Sequence, residues 1–322
     1  MERLLFMGTP DFAVSVLKAL IGRYELVGVV TQPDQQVGRG RQVEASPVKV
    51  VALAHGLPVL QPRRLRQPEA AAELRALAPE VIVVAAFGQI LPPEVLNIPP
   101  KGCLNVHASL LPKYRGAAPI AAAILAGEEE TGVTIMLMDE GMDSGPILSQ
   151  STCSISPQDT QESLSAKLAQ SGAHLLMDTL PRWLAGEIEP RLQDHRQATY
   201  CRVISKGDGL IDWTQPAVEI WRRSRAYYPW PSAYTYWRGK LLKVLRAEAL
   251  PHPTSPASRG GSGEREPGQV MALAGGLAVV TGEGALLLIE VQLAGKKALN
   301  AEDFARGQRD FVGSVLGKEV NR

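Results

Sequence analysis

The chain reads as an α/β protein: a domain built on a mainly parallel sheet, followed by a smaller β-rich domain. Three observations predict this. Short apolar runs alternate with helix-period patterns through about residue 185, the element order that builds a parallel sheet with covering helices. Residues 81–86 are a continuous apolar run rich in β-branched side chains, as in strands buried on both faces. After about residue 190 the helical periods give way to short β-like runs separated by turn residues, which suits a small barrel or sandwich. A length of 322 residues accommodates two such domains.

Residues 4–7 form the first strand, ended by Gly8, and Phe12, Val16, Leu17 and Leu20 recur at helical spacing over residues 10–21. Residues 26–30 are the second strand, closed by Gln32-Pro33-Asp34. Ser46-Pro47 opens a helix, with the serine as N-cap and the proline in the first turn. A helix over 69–78 precedes the strand at 81–86, and residues 104–107 form another strand. Residues 116–126 read as a helix with Pro119 near its start, 133–138 as a strand, and 160–185 as one long amphipathic helix. Residues 186–209 are polar, carry Gly186, Pro190, Gly207 and Gly209, and read as a connection. Beyond it the strand candidates are 209–212, 233–237, 241–245, 277–280 and 285–291, with helices near 216–226 and 301–314. Residues 251–267 are a low-complexity Pro/Ser/Gly stretch and read as a surface loop. The expected division is a domain over 1–189, a linker over 190–206 and a domain over 207–322.

Lys and Arg total 34 and Asp and Glu 33, so the chain as a whole is neither a strongly basic nucleic-acid binder nor an acidic disordered segment. The total conceals an asymmetry. Residues 1–205 carry 18 basic and 21 acidic side chains, and residues 206–322 carry 16 and 12. Residues 32–66 and 206–246 are the most basic windows, a distribution that suits a polyanionic partner. Cys103, Cys153 and Cys201 are odd in number and widely spaced, which fits neither a disulfide framework nor a zinc site. The N-terminus lacks the apolar core of a signal peptide, and no run approaches the roughly 18 apolar residues of a membrane span. A cytoplasmic protein without a membrane partner is expected.

Several motifs carry chemistry. Gly8-Thr9-Pro10-Asp11-Phe12 follows the first strand but lacks the G-x-G-x-x-G spacing, so a tight turn is favoured and bound NAD is not expected. Gly38-Arg39-Gly40-Arg41 reads either as a phosphate-touching loop or as a solvated one. Alternation along a strand puts Asn105 and His107 on one face at a strand's C-terminal end, where ligand crevices open in parallel sheets. An amide donor beside an imidazole can hold an oxyanion. Asp143, between Gly141 and Gly145, can orient a histidine or take a proton. Each of these also has a purely structural reading, as a polar strand end or an acidic turn. The aromatic window of Trp213, Trp221, Tyr227, Tyr228, Trp230, Tyr234, Tyr236 and Trp237, interleaved with Arg222, Arg223 and Arg225, suits either stacked bases or a domain core.

Asn105-Val106-His107-x-Ser109-Leu110-Leu111-Pro112, followed by Tyr114-Arg115-Gly116-Ala117-Ala118-Pro119 and by Asp143-Ser144-Gly145, resembles the folate-dependent formyltransferases. GTPDF at 8–12, TQPD at 31–34, GRG at 38–40, SPVK at 46–49, IDW at 211–213, PWP at 229–231 and AGKKAL at 294–299 narrow the likeness to those acting on methionyl-tRNA. It spans nearly the whole chain. The resemblance implies a Rossmann-like formyltransferase domain and a C-terminal β-barrel resembling an OB-fold. It implies formyl transfer from 10-formyltetrahydrofolate to the methionine α-amino group on initiator methionyl-tRNA. No metal and no NAD are expected, and the enzyme is expected to be a monomer. By motif match Asn105, His107 and Asp143 are the catalytic trio. Ser109, Leu110, Leu111 and Pro112, with Phe87, Gly88, Ile90, Leu91 and Asp139, bind tetrahydrofolate. Arg39 and Arg41 approach the tRNA. The rivals are a formyltransferase for a small amine such as a sugar nucleotide or glycinamide ribonucleotide, a dinucleotide-dependent oxidoreductase, and a non-catalytic RNA-binding protein.

Overall fold

Residues 2–37, 42–250 and 266–317 are described by the computed structural model. The first part of the chain follows the order β1 (Arg3–Gly8), α1 (Asp11–Leu20), β2 (Glu25–Val30), β3 (Gln35–Val37), β4 (Gln42–Glu44), α2 (Pro47–Ala54), β5 (Val59–Leu60), α3 (Pro68–Ala76), β6 (Val81–Ala85), α4 (Pro93–Leu96), β7 (Cys103–His107), β8 (Arg115–Gly116), α5 (Pro119–Ala126), β9 (Glu130–Leu137), β10 (Ile147–Ser154), α6 (Gln161–Leu184) and β11 (Tyr200–Cys201). Seven strands form one sheet in the order β10-β9-β7-β6-β1-β2-β5. The five from β7 to β5 are parallel, and β9 and β10 add to one edge antiparallel. The chain steps outward from β1 through β2 to β5, then returns to β6 on the other side of β1. That reversal opens a crevice at the C-terminal ends of β1 and β6. Both strands are buried on both faces, which is why their sequences are unbroken apolar runs.

Gly8 ends β1 where α1 packs closely. A Cβ there would sit 2.6 Å from the Ala13 Cβ and 3.0 Å from the Ala85 carbonyl oxygen. Close packing, not phosphate binding, accounts for this glycine. Ser46 caps α2 as expected, accepting from the Lys49 N–H at 3.1 Å, and its hydroxyl also pairs with Thr31 Oγ1 at 2.7 Å. Lys49 Nζ donates to Asp34 Oδ2 at 2.6 Å and to Gln61 Oε1 at 2.8 Å. The hydrogen bonds from Lys49, then from Gln61, hold the Asp34 carboxyl below the usual carboxylate range. The TQPD and SPVK segments therefore brace both stems of the hairpin formed by β3 and β4. Its tip, with Arg39 and Arg41, lies outside the described residues.

Three expectations change here. The helix expected from 116 starts at Pro119, because Arg115 and Gly116 pair in parallel with Tyr200 and Cys201 instead. β10 is an additional strand with no sequence signal, because as a polar edge strand it carries no apolar alternation. Part of the expected linker is stitched down by non-local backbone bonds that its polar composition does not reveal. Ile147 and Arg191 exchange N–H···O bonds at 2.8 and 2.9 Å, and the Arg115 N–H donates to the Thr199 carbonyl at 2.8 Å. The chain divides into two compact units. The first comprises Met1–Ile120, Glu129–Ile155 and Ser163–Arg202, and the second Ala121–Glu128, Ser156–Glu162 and Val203–Arg322.

The second unit contains α7 (Ala217–Ala226), β12 (Ala233–Trp237), β13 (Lys240–Leu250), β14 (Val270–Leu273), β15 (Gly276–Val280), β16 (Ala285–Leu293), β17 (Leu299–Asn300) and α8 (Ala301–Gly307). Its sheet is antiparallel in the order β12-β13-β16-β15-β14, with β17 on β16. The edge strands are joined through residues 313–317. Val270 and the 313–314 segment exchange bonds at 2.8 Å, and the Gly317 N–H donates to the Tyr236 carbonyl at 3.1 Å. This circuit closes the sheet on itself. Residues 209–212 are not a strand: a 3-10 turn at Lys206–Gly209 is followed by a single bridge from Leu210 to Tyr234. The last helix stops at Gly307 rather than 314. Phe311 then turns inward, edge-on to Phe304 and Trp237 at centroid distances of 4.9 and 5.4 Å.

Much of the aromatic window is core. Trp213 and Trp237 are buried in the unit's main apolar cluster, and Trp213 Nε1 donates to Thr235 Oγ1 at 3.1 Å. Arg225 stacks 4.1 Å from the Trp221 ring centroid and donates to the carbonyls of Ser156 and Pro157. Trp230, at 60% exposure, is the exposed tryptophan of the window. Gly8→Ala is expected to cost about 1–3 kcal/mol through overpacking, read as a lower urea midpoint. An unchanged midpoint would show that α1 can give way.

Candidate active site

β7 lies beside β6 at the crevice, and Asn105 and His107 both leave it toward the turn between β9 and β10. Asp143 sits in that turn. Its Oδ2 accepts the Gly116 N–H at 2.8 Å, and its Oδ1 accepts from Asn105 Nδ2 at 3.4 Å. His107 Nδ1 lies 3.7 Å from Oδ2. Three separate segments thus meet on one carboxylate, and the predicted trio is assembled. His107 Nε2 lies 3.0 Å from the Tyr114 carbonyl oxygen. A carbonyl only accepts, so Nε2 is the donor in this contact and Nδ1 is the nitrogen turned to Asp143. The His107 side chain is 6% exposed and that of Asp143 18%, so water screens their interaction weakly.

The backbone around this cluster is strained. Tyr114 has φ +59° and Asp143 φ +48°, in the left-handed region, at a cost on the order of 1–3 kcal/mol each. The strain has a visible product: Tyr114 turns its carbonyl onto His107, and Asp143 turns its carboxylate onto Gly116.

The predicted folate residues divide into walls and exposed surface. Phe87 and Leu91 are buried in the apolar cluster that also holds Val84 and Cys103, with Met138 against it. The Phe87 carbonyl accepts from Thr9 Oγ1 at 3.0 Å and from Gln32 Nε2 at 3.2 Å, tying the loops after β1, β2 and β6 together. Ser109 is fully buried and its hydroxyl donates to the Lys113 carbonyl at 2.6 Å. The Leu111 N–H donates to Thr134 Oγ1, which donates in turn to the Ser109 carbonyl, so this segment is a braced turn. Leu110 and Pro112 are half-buried, whereas Gly88, Ile90 and Asp139 are exposed. Asp139 accepts from the Gly141 N–H at 3.0 Å and from Ser144 Oγ at 2.9 Å, one residue from Asp143. A cleft of about 440 Å³ opens there, lined by Leu96, Asn97, Met138, Asp139 and Glu140 among others. Of the residues expected to bind folate, Asp139 lines it. A larger cleft of about 580 Å³ lies among Glu2, Tyr24, Glu80 and Pro181, and neither cleft includes a member of the trio. The larger one lies where β1 begins, at the opposite end of the parallel strands from the crevice.

Arg115 and Gln193 are neighbours of the trio that sequence reasoning did not single out. Arg115 belongs to the YRGAAP segment at 114–119, whereas Gln193 belongs to the polar stretch expected as a linker and carries no local signal. Cys201 Sγ donates to the Arg115 carbonyl at 3.2 Å; burial pushes its pKa up and the Asp143 carboxylate adds to the rise. Among the described residues no three His, Cys, Asp or Glu side chains gather as metal ligands.

Residues 2–180 match the family model described as formyl transferase, and residues 203–309 match that of the formyl transferase C-terminal domain. The chain belongs to the formyl transferase family. It is 51% identical to a methionyl-tRNA formyltransferase of Roseiflexus sp. (strain RS-1), over 98% of this chain and 95% of the relative. It is 49% identical to that of Myxococcus xanthus (strain DK1622), over 97% of each. Among solved structures, HypX from Aquifex aeolicus in complex with tetrahydrofolic acid aligns at TM-score 0.63 and 18% identity, over 97% of this chain. The chain spans 48% of HypX. An N-formyltransferase from Helicobacter canadensis, in complex with folinic acid and dTDP-3-aminofucose, aligns at TM-score 0.63 and 20% identity, over 89% of this chain and 99% of that one.

Thiol chemistry offers a direct check of burial around this formyl transferase site. Burial pushes Cys103 to about 12, so at pH 8 only about one thiol in 10⁴ is the reactive thiolate. Iodoacetamide should label Cys153 first, Cys201 slowly and Cys103 only on unfolding. Labelling of Cys103 at the rate of Cys153 would contradict the packing of β7.

Proposed function

We propose that the chain transfers the formyl group of 10-formyltetrahydrofolate to the α-amino group of methionine on initiator methionyl-tRNA. The observation that carries this reading is the convergence of Asn105, His107 and the Gly116 N–H on Asp143 at the sheet's crevice. It stands in a chain that is about half identical, over nearly its whole length, to methionyl-tRNA formyltransferases. Sugar formyltransferases share the fold at lower identity, which makes small amines the less favoured acceptors.

The transfer forms one C–N bond and breaks another. The methionine amine attacks the formyl carbon, negative charge gathers on the formyl oxygen, and the C–N10 bond then breaks. One proton leaves the amine and one reaches N10. Asn105 Nδ2, held only at 3.4 Å by Asp143, is free to turn its second hydrogen to the oxyanion. Asp143 and His107 Nδ1 lie within a small movement of each other and together accept the amine proton. The Tyr114 carbonyl keeps the ring in place throughout. The exposed Ile90, Gly88 and Asp139 face the pterin, with Phe87, Leu91 and the Ser109–Pro112 turn behind them. Arg39 and Arg41 meet the tRNA backbone. The enzyme acts as a monomer in the cytoplasm.

With 10-formyltetrahydrofolate and charged initiator tRNA, the protein should yield formylmethionyl-tRNA; no product from folded protein would refute the reading. Asn105→Ala and His107→Ala should each lower kcat about 10²–10³-fold. Wild-type single-turnover rates in both would remove the trio from the chemistry. Reversing charge at Arg39 and Arg41 should raise KM for the tRNA and flatten its salt dependence, with KM for the folate unchanged. Identical tRNA kinetics would detach that loop from RNA binding.

A further inference from the structure

Arg115 heads the largest fully buried side chains among the described residues, at 2% exposure. Its Nε and Nη2 donate to Gln193 Oε1 at 3.1 and 2.7 Å. Nη1 and Nη2 lie 3.2 and 3.3 Å from His195 Nδ1, and Nη1 donates to the Tyr200 hydroxyl at 3.4 Å. None of these partners is a carboxylate. Gln193, 6% exposed, donates its Nε2 to the carbonyls of Asp143 at 2.9 Å and Gly145 at 2.7 Å. A guanidinium only donates and a carbonyl only accepts, so the Gln193 amide has a single allowed orientation. Asp143 is thereby held twice. Gly116, next to Arg115, grips its carboxylate, and Gln193, oriented by Arg115, grips its backbone.

The choice of residue at 193 points to function. Glutamate has the same shape and would pair a buried guanidinium charge with a carboxylate, a stronger hydrogen-bonded contact. It cannot donate to the Asp143 and Gly145 carbonyls. Glutamine forgoes the ion pair and keeps both donors on the strained turn. We propose that Arg115 and Gln193 are positioning residues for formyl transfer: they act through Asp143 by clamping its left-handed backbone so that the carboxylate stays on Gly116, Asn105 and His107. This rests on the reading of Asp143 as a group that touches the reacting atoms.

The test is Gln193→Glu in the full chain. The expected result is a melting temperature lowered by a few degrees, because two buried carbonyls lose their donor, and a kcat lowered about ten- to hundred-fold at a temperature where the variant is fully folded. KM for 10-formyltetrahydrofolate and for the tRNA should stay within about threefold, and hydrogen exchange should rise over residues 139–146. A structural role alone would make activity follow melting temperature. Arg115→Lys keeps the charge but loses the two-pronged hold, and should show the same kcat loss in the protein that folds. Wild-type kcat in Gln193→Glu, or activity that only tracks the folded fraction in both variants, overturns the proposal. Asp143→Asn separates the two readings. If it formylates at the wild-type rate, the parent reading falls. If it is inactive while Gln193→Glu is normal, the positioning proposal alone falls.

Discussion

The hydrogen bond from the Gly116 amide to the Asp143 carboxylate, 2.8 Å long, organises the candidate site. It joins the β9–β10 turn to β8, and β8 is itself anchored by its parallel pairing with β11. Gly116 has φ +111°, and a Cβ there would collide with the Cys201 carbonyl, so the position admits no side chain. The bond therefore depends on a backbone arrangement that glycine alone allows. Asn105 and His107 find a carboxylate beside them because this bond holds it there.

The sheet supplies the rigid side of the arrangement. β1 and β6 are apolar on both faces and leave few alternatives for the strands beside them. Asn105 and His107 ride on a neighbouring strand, so their spacing is set by the pleat. The flexible side is supplied by loops, and each is tied at several points. The Phe87 carbonyl gathers two loops, Thr134 braces the Ser109–Pro112 turn, and Gln193 holds the Asp143 turn. Strain at Tyr114 and Asp143 is thereby carried by surroundings that over-determine it.

The charge distribution takes on a narrower meaning once the side chains are placed. The excess of basic residues after residue 205 includes Arg225, which is stacked on Trp221 and donates to carbonyls within its own unit. Several aromatics beside it are core. The basic surface open to a polyanion is thus smaller than the residue count suggests, and composition alone overstates an RNA face.

Local patterns were legible in the sequence. The unbroken apolar runs of β1, β2 and β6, the Ser46-Pro47 helix start and the shared face of Asn105 and His107 all follow from local signals: burial on both faces, a cap a few residues long and the two-residue period of a strand. Motif resemblance added the trio by name. Only the tertiary structure brought Asp143 onto Asn105 and His107, tied Arg191 to Ile147 and Thr199 to Arg115, and paired Arg115 with Gln193. That pair stands 78 residues apart in sequence. Contacts at such separation leave no periodic trace, because they are decided by how sheet and loops pack and not by any propensity of the residues that make them.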